Sequence, residues 1–318
     1  MHVVLVDPSR AVRSAVTALL EPAGHVVIGF ADPDDALDRI KADETVDAVI
    51  TASELTPISG VELCWEVRLI AGEQRPIYVA MMSSNHEGSM AVEALDVGAD
   101  DLLHKPLQKQ ELCAKLRSAE RLLMLQRKLI RLATTDPLTG LLNRRAFFER
   151  ATEICANASN GRSVAAILFD IDYFKEINDL YGHHIGDNAL RAVARYVRKD
   201  QPVVGRLGGD EICILLKSCD QADALKVAEA LRVGIASLHV VTSSGRAHLT
   251  CSLGVAELEP GEDVDDLIKK ADLALYRAKR EGRDCVASPP PTAWRESNPR
   301  TTPGIARASR RRPQASLS

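Results

Sequence analysis

The sequence predicts an α/β protein of two domains joined by a helix, and three observations carry that prediction. Over residues 1 to 107, short apolar runs alternate with amphipathic stretches, an order that argues for a doubly wound parallel sheet of five strands. Residues 108 to 134 are charged, leucine-rich and free of Gly and Pro, as an uninterrupted helix requires. A second α/β region follows, in which apolar runs frame the turn Gly208-Gly209-Asp210-Glu211. A length of 318 residues suits two domains, and 46% hydrophobic content supplies two cores.

In the first domain, His2 to Val6, Val26 to Phe30, Val46 to Thr51, Ile77 to Met82 and Asp101 to Leu103 read as strands. Between them Ser9 to Leu20, Asp34 to Lys41, Gly60 to Ile70 and Glu87 to Val97 read as helices. In the joint, Leu112, Leu116, Leu123 and Ile130 fall near a seven-residue spacing, and Leu122, Leu125, Leu129 and Leu132 form a neighbouring stripe. The expectation is a helix that pairs with its twin in a homodimer. The plain alternative is an amphipathic helix lying on its own domain.

In the second domain, Val164 to Phe169 reads as a buried strand delivering Asp170 at its end, and Val203-Val204 and Ile212 to Leu216 read as strands flanking the glycine pair. Gly208-Gly209 suits a two-residue turn with positive φ, and without a Cβ it lets a ligand approach the backbone. Asp170 and Asp210 would then share one rim of a sheet. Read alone, the same turn also fits a chain reversal whose acids face water.

Residues 287 to 318 hold six Arg against one Glu among Pro, Ser and Thr, a composition expected to be a disordered tail. Arg310-Arg311-Arg312 reads as a solvated extension. The rest of the chain is therefore more acidic than the overall net charge of −4, which argues against DNA binding. Seven cysteines without a Cys-x-x-Cys spacing point to reduced thiols. The apolar run after Met1-His2 stops at Asp7, and no apolar stretch approaches the roughly 20 residues of a membrane span. A soluble, cytoplasmic protein is expected.

Ordered motifs add a resemblance. Asp136-Pro137-Leu138-Thr139-Gly140-Leu141-Leu142-Asn143-Arg144 is followed by Asp170-Ile171-Asp172-Tyr173-Phe174-Lys175-Glu176-Ile177-Asn178-Asp179, Gly182-His183-His184-Ile185-Gly186-Asp187 and the glycine hairpin. Ser252-Leu253-Gly254-Val255-Ala256 and Ala271-Asp272-Leu273-Ala274-Leu275-Tyr276-Arg277-Ala278-Lys279 then lead to Gly282-Arg283. Together they resemble a GGDEF domain of the diguanylate cyclase family. Domain boundaries of 1–107, 108–134, 135–286 and 287–318 are expected on this basis.

The resemblance implies condensation of two GTP molecules into cyclic di-GMP, each step an attack of a ribose 3′-hydroxyl on an α-phosphate. It implies Mg²⁺, with Mn²⁺ as an alternative, held by Asp170, the backbone carbonyl of Ile171 and Asp210. Glu211 matches the second acid, a metal ligand or general base. Asn178 and Asp187 match the residues that read guanine, a base whose adjacent N1–H and N2–H₂ donors suit an amide beside a carboxylate. Phe174 and His183 border that nucleotide site, although a histidine there also fits a helix cap or packing role. Gly208 and Gly209 lie on the substrate side, and Lys175, Lys279 and Arg283 match triphosphate contacts. Two departures stand out. Ile212 replaces the final Phe of the signature, and the inhibitory product site Arg-x-x-Asp of many relatives has Lys199 and Pro202 in its place.

The first domain resembles a response-regulator receiver, through Pro57-Ile58-Ser59-Gly60 and Val97-Gly98-Ala99-Asp100-Asp101-Leu102-Leu103-His104-Lys105-Pro106. Lys105 matches the phosphate-contacting lysine, Ser83 the switch hydroxyl and Asp7 the first of an acidic pair whose second place is Pro8. Ala52 stands at the phosphoacceptor. A pseudo-receiver is expected, left with packing, dimerisation or binding of a protein partner. The reading from sequence is a homodimeric diguanylate cyclase using GTP. Its rival is a catalytically silent nucleotide-binding scaffold.

Overall fold

The computed structural model describes residues 1–289 apart from 73, 85–87, 159–162, 200–202 and 243–244. The expected tail therefore lies, from residue 290, outside the described residues, as does Pro202. The chain divides into two compact units between Arg131 and Leu132.

The first unit alternates β1 (His2–Val6), α1 (Arg10–Leu20), β2 (Val26–Phe30), α2 (Pro33–Ala42), β3 (Val46–Ala52), α3 (Gly60–Ala71), β4 (Tyr78–Ser83), α4 (Gly88–Asp96) and β5 (Asp101–His104), then enters α5 (Lys109–Thr134). All five strands are parallel in the order β2-β1-β3-β4-β5, the doubly wound arrangement expected. Side-chain caps start the helices where the sequence supplies them. Ser9 and Asp32 accept from the first turns of α1 and α2, and Ser59 with Glu62 closes a capping box on α3.

Alternate strand residues feed two cores, as a two-residue side-chain period dictates. Val4, Val6, Val49, Val79 and Met81 pack with α2, α3 and Ala94 of α4, whereas Val3, Leu5, Ile50, Ala80 and Met82 pack with α1 and α5. Leu112, Leu116 and Leu123 of α5 are buried in this second core. Three of the four residues of the seven-residue stripe therefore serve the helix's own domain, with Ile130 half-buried, and Leu122, Leu125, Leu129 and Leu132 stand exposed beside it.

The second unit contains β6 (Leu142–Asn143), α6 (Arg144–Asn157), β7 (Val164–Ile171), α7 (Phe174–Tyr181), α8 (His183–Val197), β8 (Val203–Gly208), β9 (Glu211–Lys217), α9 (Gln221–Ala236), β10 (His239–Thr242), β11 (Gly245–His248), β12 (Cys251–Glu257), α10 (Val264–Arg280) and β13 (Val286–Ala287). Six strands form a sheet in the order β13-β12-β7-β9-β8-β6, with β7 central and antiparallel to both neighbours. Odd-numbered β7 residues Ala165, Ile167, Phe169 and Ile171 pack toward α8 and α9, and even-numbered Val164, Ala166 and Leu168 toward α6 and α10. β13 runs one residue into the segment read as the tail. All seven cysteines are free. Among the described residues no helix is long and apolar enough to cross a membrane.

Candidate active site

Strand β7 sets the site by its period. The even face that buries Val164 to Leu168 also turns Asp170 toward α10, where Lys279 donates to its Oδ2 at 2.8 Å. Asp170 lies inside the strand rather than just beyond it, opposite Ser252 of β12. Pairing with β9 ends at Phe169 and Ile212, so Asp170 and Ile171 extend past the end of that ladder.

The hairpin supplies the second acid. Gly208 pairs with Glu211, which makes Gly209 and Asp210 the two turn residues, one place later than the sequence suggests. Gly209 takes φ 48°, and Gly208 remains in the strand. Arg206 braces the turn: its Nε and one NH2 donate to the Gly209 carbonyl at 2.8 and 2.6 Å, and its other nitrogen meets both Asp136 oxygens at 3.0 and 3.2 Å. Burial alone would raise the Asp136 carboxyl, but Thr139 and Arg206 hold it below its ordinary range.

Asp210 and Asp170 sense each other. Burial, and after it the Asp170 carboxylate, push the Asp210 carboxyl up to about 6, while Lys279 opposes the rise. Two acids this close, with an ammonium already resting on one of them, form a cation-seeking pair. Among the described residues no group of three or more His, Cys, Asp or Glu side chains is gathered as a ready metal cage. The donor set is thus two carboxylates and the main chain near Ile171, which fits Mg²⁺, an ion that commonly keeps one or two carboxylates and takes its other oxygens from water and substrate phosphates. Glu211 is half-buried on β9 beside the turn.

A second cluster forms where α7 meets α8. The Gly182 N–H donates to the Asn178 carbonyl at 2.8 Å, closing α7 and opening α8. A Cβ on Gly186 would stand 1.9 Å from the Asn178 side-chain oxygen and 3.2 Å from Phe174, so only glycine lets the Asn178 amide lie against the turn that carries Asp187. Asp187 is part-exposed, with Arg191 at 3.9 Å. Lys175 and His183 are exposed on α7 and at the start of α8. Arg283 stacks over Tyr173 with its guanidinium carbon 4.6 Å from the ring centroid.

Sequence reasoning proposed the acids, Asn178, Asp187 and the basic residues as candidates. It missed the Arg206–Asp136 brace and the space made by Gly186. Asp136 opens the first motif, yet a side-chain contact between residues 70 apart has no local signature.

The receiver positions gather at the carboxyl ends of β1, β3, β4 and β5. Asp7 is 1% exposed, its Oδ2 accepting from Lys105 at 2.6 Å and its Oδ1 from the Ser9 N–H at 2.8 Å. Ala52 ends β3 and is buried, and Ser83 ends β4 with its carbonyl accepting from the Lys105 N–H at 2.9 Å.

The two folds define a modular protein, with a receiver-like sheet in the first unit and a nucleotidyl-cyclase-like sheet in the second. The family description "Diguanylate cyclase, GGDEF domain" matches residues 133–285, and "Response regulator receiver domain" matches residues 3–117. The chain belongs to the GGDEF domain family and carries a receiver domain ahead of it. It is 33% identical over 304 residues to "Response regulator PleD" of Caulobacter vibrioides, across 90% of this chain and 65% of that protein. To "Diguanylate cyclase DgcM" of Escherichia coli it is 32% identical over 268 residues, across 79% of this chain and 64% of that protein. The chain thus spans just under two thirds of each of these relatives. Among solved structures, the coiled coil and GGDEF domain of DgcB from Caulobacter crescentus, in complex with c-di-GMP, is 33% identical with a TM-score of 0.51, covering 56% of this chain and 97% of that one.

Proposed function

We propose that the protein is a diguanylate cyclase that condenses two GTP molecules into cyclic di-GMP across a homodimer, under a receiver domain that takes no phosphoryl group. The observation that carries this reading is the Asp170–Asp210 pair on one sheet rim, where burial and then the neighbouring Asp170 carboxylate raise Asp210, with Lys279 on Asp170. Gly208 supports it. A Cβ there would meet nothing within 4 Å and its φ is not left-handed, so neither packing nor conformation demands glycine and close approach by a ligand remains the reason.

Asp170, Asp210 and the Ile171 carbonyl would hold Mg²⁺, which when bound neutralises phosphoryl charge and lowers the pKa of the attacking hydroxyl. Lys279 and Arg283 bind the triphosphate, Lys279 as a point charge released from Asp170 and Arg283 as a fork. Lys175 adds a further charge from α7. Asn178 and Asp187 read the guanine edge, with Phe174 and His183 at its border; a base lacking the two adjacent donors leaves their acceptors unpaired. Glu211 accepts the 3′-hydroxyl proton or completes the metal set. Each domain holds one GTP, so two copies must face each other for both bonds to form. Alanine at position 52 offers no carboxylate for aspartyl phosphorylation.

The test is incubation of purified protein with GTP and Mg²⁺ and chromatographic separation of the products. Cyclic di-GMP with two equivalents of pyrophosphate is expected from the native chain and none from Asp210→Ala of unchanged circular dichroism. GTP that binds and returns unaltered would establish the scaffold reading instead.

A further inference from the structure

Asp172 is a buried carboxylate that the proposed chemistry leaves without a task. It is 4% exposed, and its Oδ1 accepts from the Ser252 hydroxyl at 2.6 Å. Its Oδ2 accepts from the Thr250 hydroxyl at 2.9 Å and from the Asp284 N–H at 3.0 Å. That last bond joins the end of β7 to a segment 112 residues away, just after α10. Arg283 and Asp284 there take φ of 64° and 44°, left-handed values that non-glycine side chains disfavour.

Two such residues in succession persist only when their surroundings fix them. The Asp284 N–H is held by Asp172, the Asp284 carboxylate by Arg232 at 2.8 Å, and the Arg283 N–H by the Ala278 carbonyl at 3.1 Å. The outcome is the Arg283 guanidinium stacked on Tyr173, with a 3.4 Å contact to its hydroxyl. Tyr173 is itself left-handed at φ 55° and follows Asp172 directly in the chain. One carboxylate therefore governs both members of the stack, Tyr173 through the backbone and Arg283 through its neighbour's amide.

We propose that Asp172 is a positioning residue for nucleotide binding: it clamps the left-handed Arg283–Asp284 segment so that Arg283 stands preset on Tyr173, three residues beyond Asp170, to receive a triphosphate. The inference rests on the reading of Arg283 as a triphosphate contact. The clamp uses acceptors rather than charge. In Asp172→Asn the amide oxygen takes the Thr250 and Asp284 donors, and the amide nitrogen donates to the Ser252 hydroxyl, which can accept as well as donate.

The experiment measures the Kd of 3′-deoxy-GTP, which binds but cannot condense, by calorimetry with Mg²⁺, together with kcat and KM for GTP. Arg283→Ala should weaken binding about tenfold, the loss of one charge-assisted contact. Asp172→Ala should match it through KM, with kcat within about threefold, and Asp172→Asn should stay within about threefold of native throughout. The Asp172→Ala/Arg283→Ala double variant should bind no more weakly than Arg283→Ala alone, because Asp172 acts through Arg283. Ser252→Ala, a milder loosening of the same clamp, should weaken binding less and have no effect in the Arg283→Ala background; it decides the matter if Asp172→Ala does not fold.

Additive losses in the double variants would overturn the proposal, as would an Asp172→Asn defect equal to that of Asp172→Ala. So would native binding by Asp172→Ala beside an impaired Arg283→Ala. Native binding by Arg283→Ala itself would remove the triphosphate role of Arg283 and the clamp with it, a result distinct from the others.

Discussion

Charge at the sheet rim rests on three side chains: Asp170, Asp210 and Lys279. Because burial and Asp170 raise the Asp210 carboxyl to about 6, folding favours its protonated form. The metal-free protein has that benefit below the ordinary carboxylate range and loses it as pH rises through about 6. Asp210→Asn keeps the shape without the charge, so it should raise the Tm of EDTA-treated protein at pH 7. That gain should close as pH falls toward the ordinary Asp value of 3.8. Thermal melts across this range check it, and an equal gain at every pH would contradict it. Lys199 lacks the fork of Arg and Pro202 lacks an acceptor side chain, so micromolar cyclic di-GMP added to initial-rate assays should leave the rate unchanged. Inhibition traced to this surface would refute it. At this scale the sequence revealed residues with chemistry of their own, such as Asp170, Asp210 and Lys279. Gly186, Arg206 and Asp172 were not legible as site residues, since each acts by making room for, bracing or clamping another.

Helix α5 shows the same division at the scale of the element. Its length and Gly/Pro-free composition were legible, and so were its two leucine stripes, but not which stripe the domain itself would bury. Leu112, Leu116 and Leu123 go to the receiver core, because a parallel sheet needs apolar cover on both faces. The exposed Leu125 and Leu129, with Met124 between the stripes at 70% exposure, are the surface that the proposed dimer would use. Leu125→Asp with Leu129→Asp should leave the fold intact, shift the protein to monomer in sedimentation, and lower turnover by more than about tenfold, since two sites must meet. A dimer that survives both charges would contradict this. The hairpin carries a similar lesson. Two glycines predicted a turn, yet the register with β9 placed it at Gly209–Asp210, which lifts the carboxylate itself onto the tip.

For the whole molecule, the alternation of strands and helices specified the doubly wound parallel sheet of the receiver but not its strand order, and the family motifs specified the second domain. Which strands pair with β7, and the two-residue strands β6 and β13, were not legible, the runs being too short or too uniformly apolar to carry a period. In the receiver, Lys105 rests on Asp7 while Ala52 offers no acceptor oxygen from its side chain. Incubation with acetyl phosphate and Mg²⁺ should leave the intact mass unchanged and cyclase activity unmoved. An acid-stable, base-labile adduct of one phosphate on this domain would refute a signal-free receiver pocket.

The proposed condensation would need carboxylate pairs from both of two facing subunits, and subunit mixing measures that need. Native protein is equilibrated with increasing Asp210→Ala variant, and cyclic di-GMP is counted per native chain. The account predicts a yield that falls toward zero as mixed dimers replace native ones. A yield per native chain that stays constant in excess variant would contradict it.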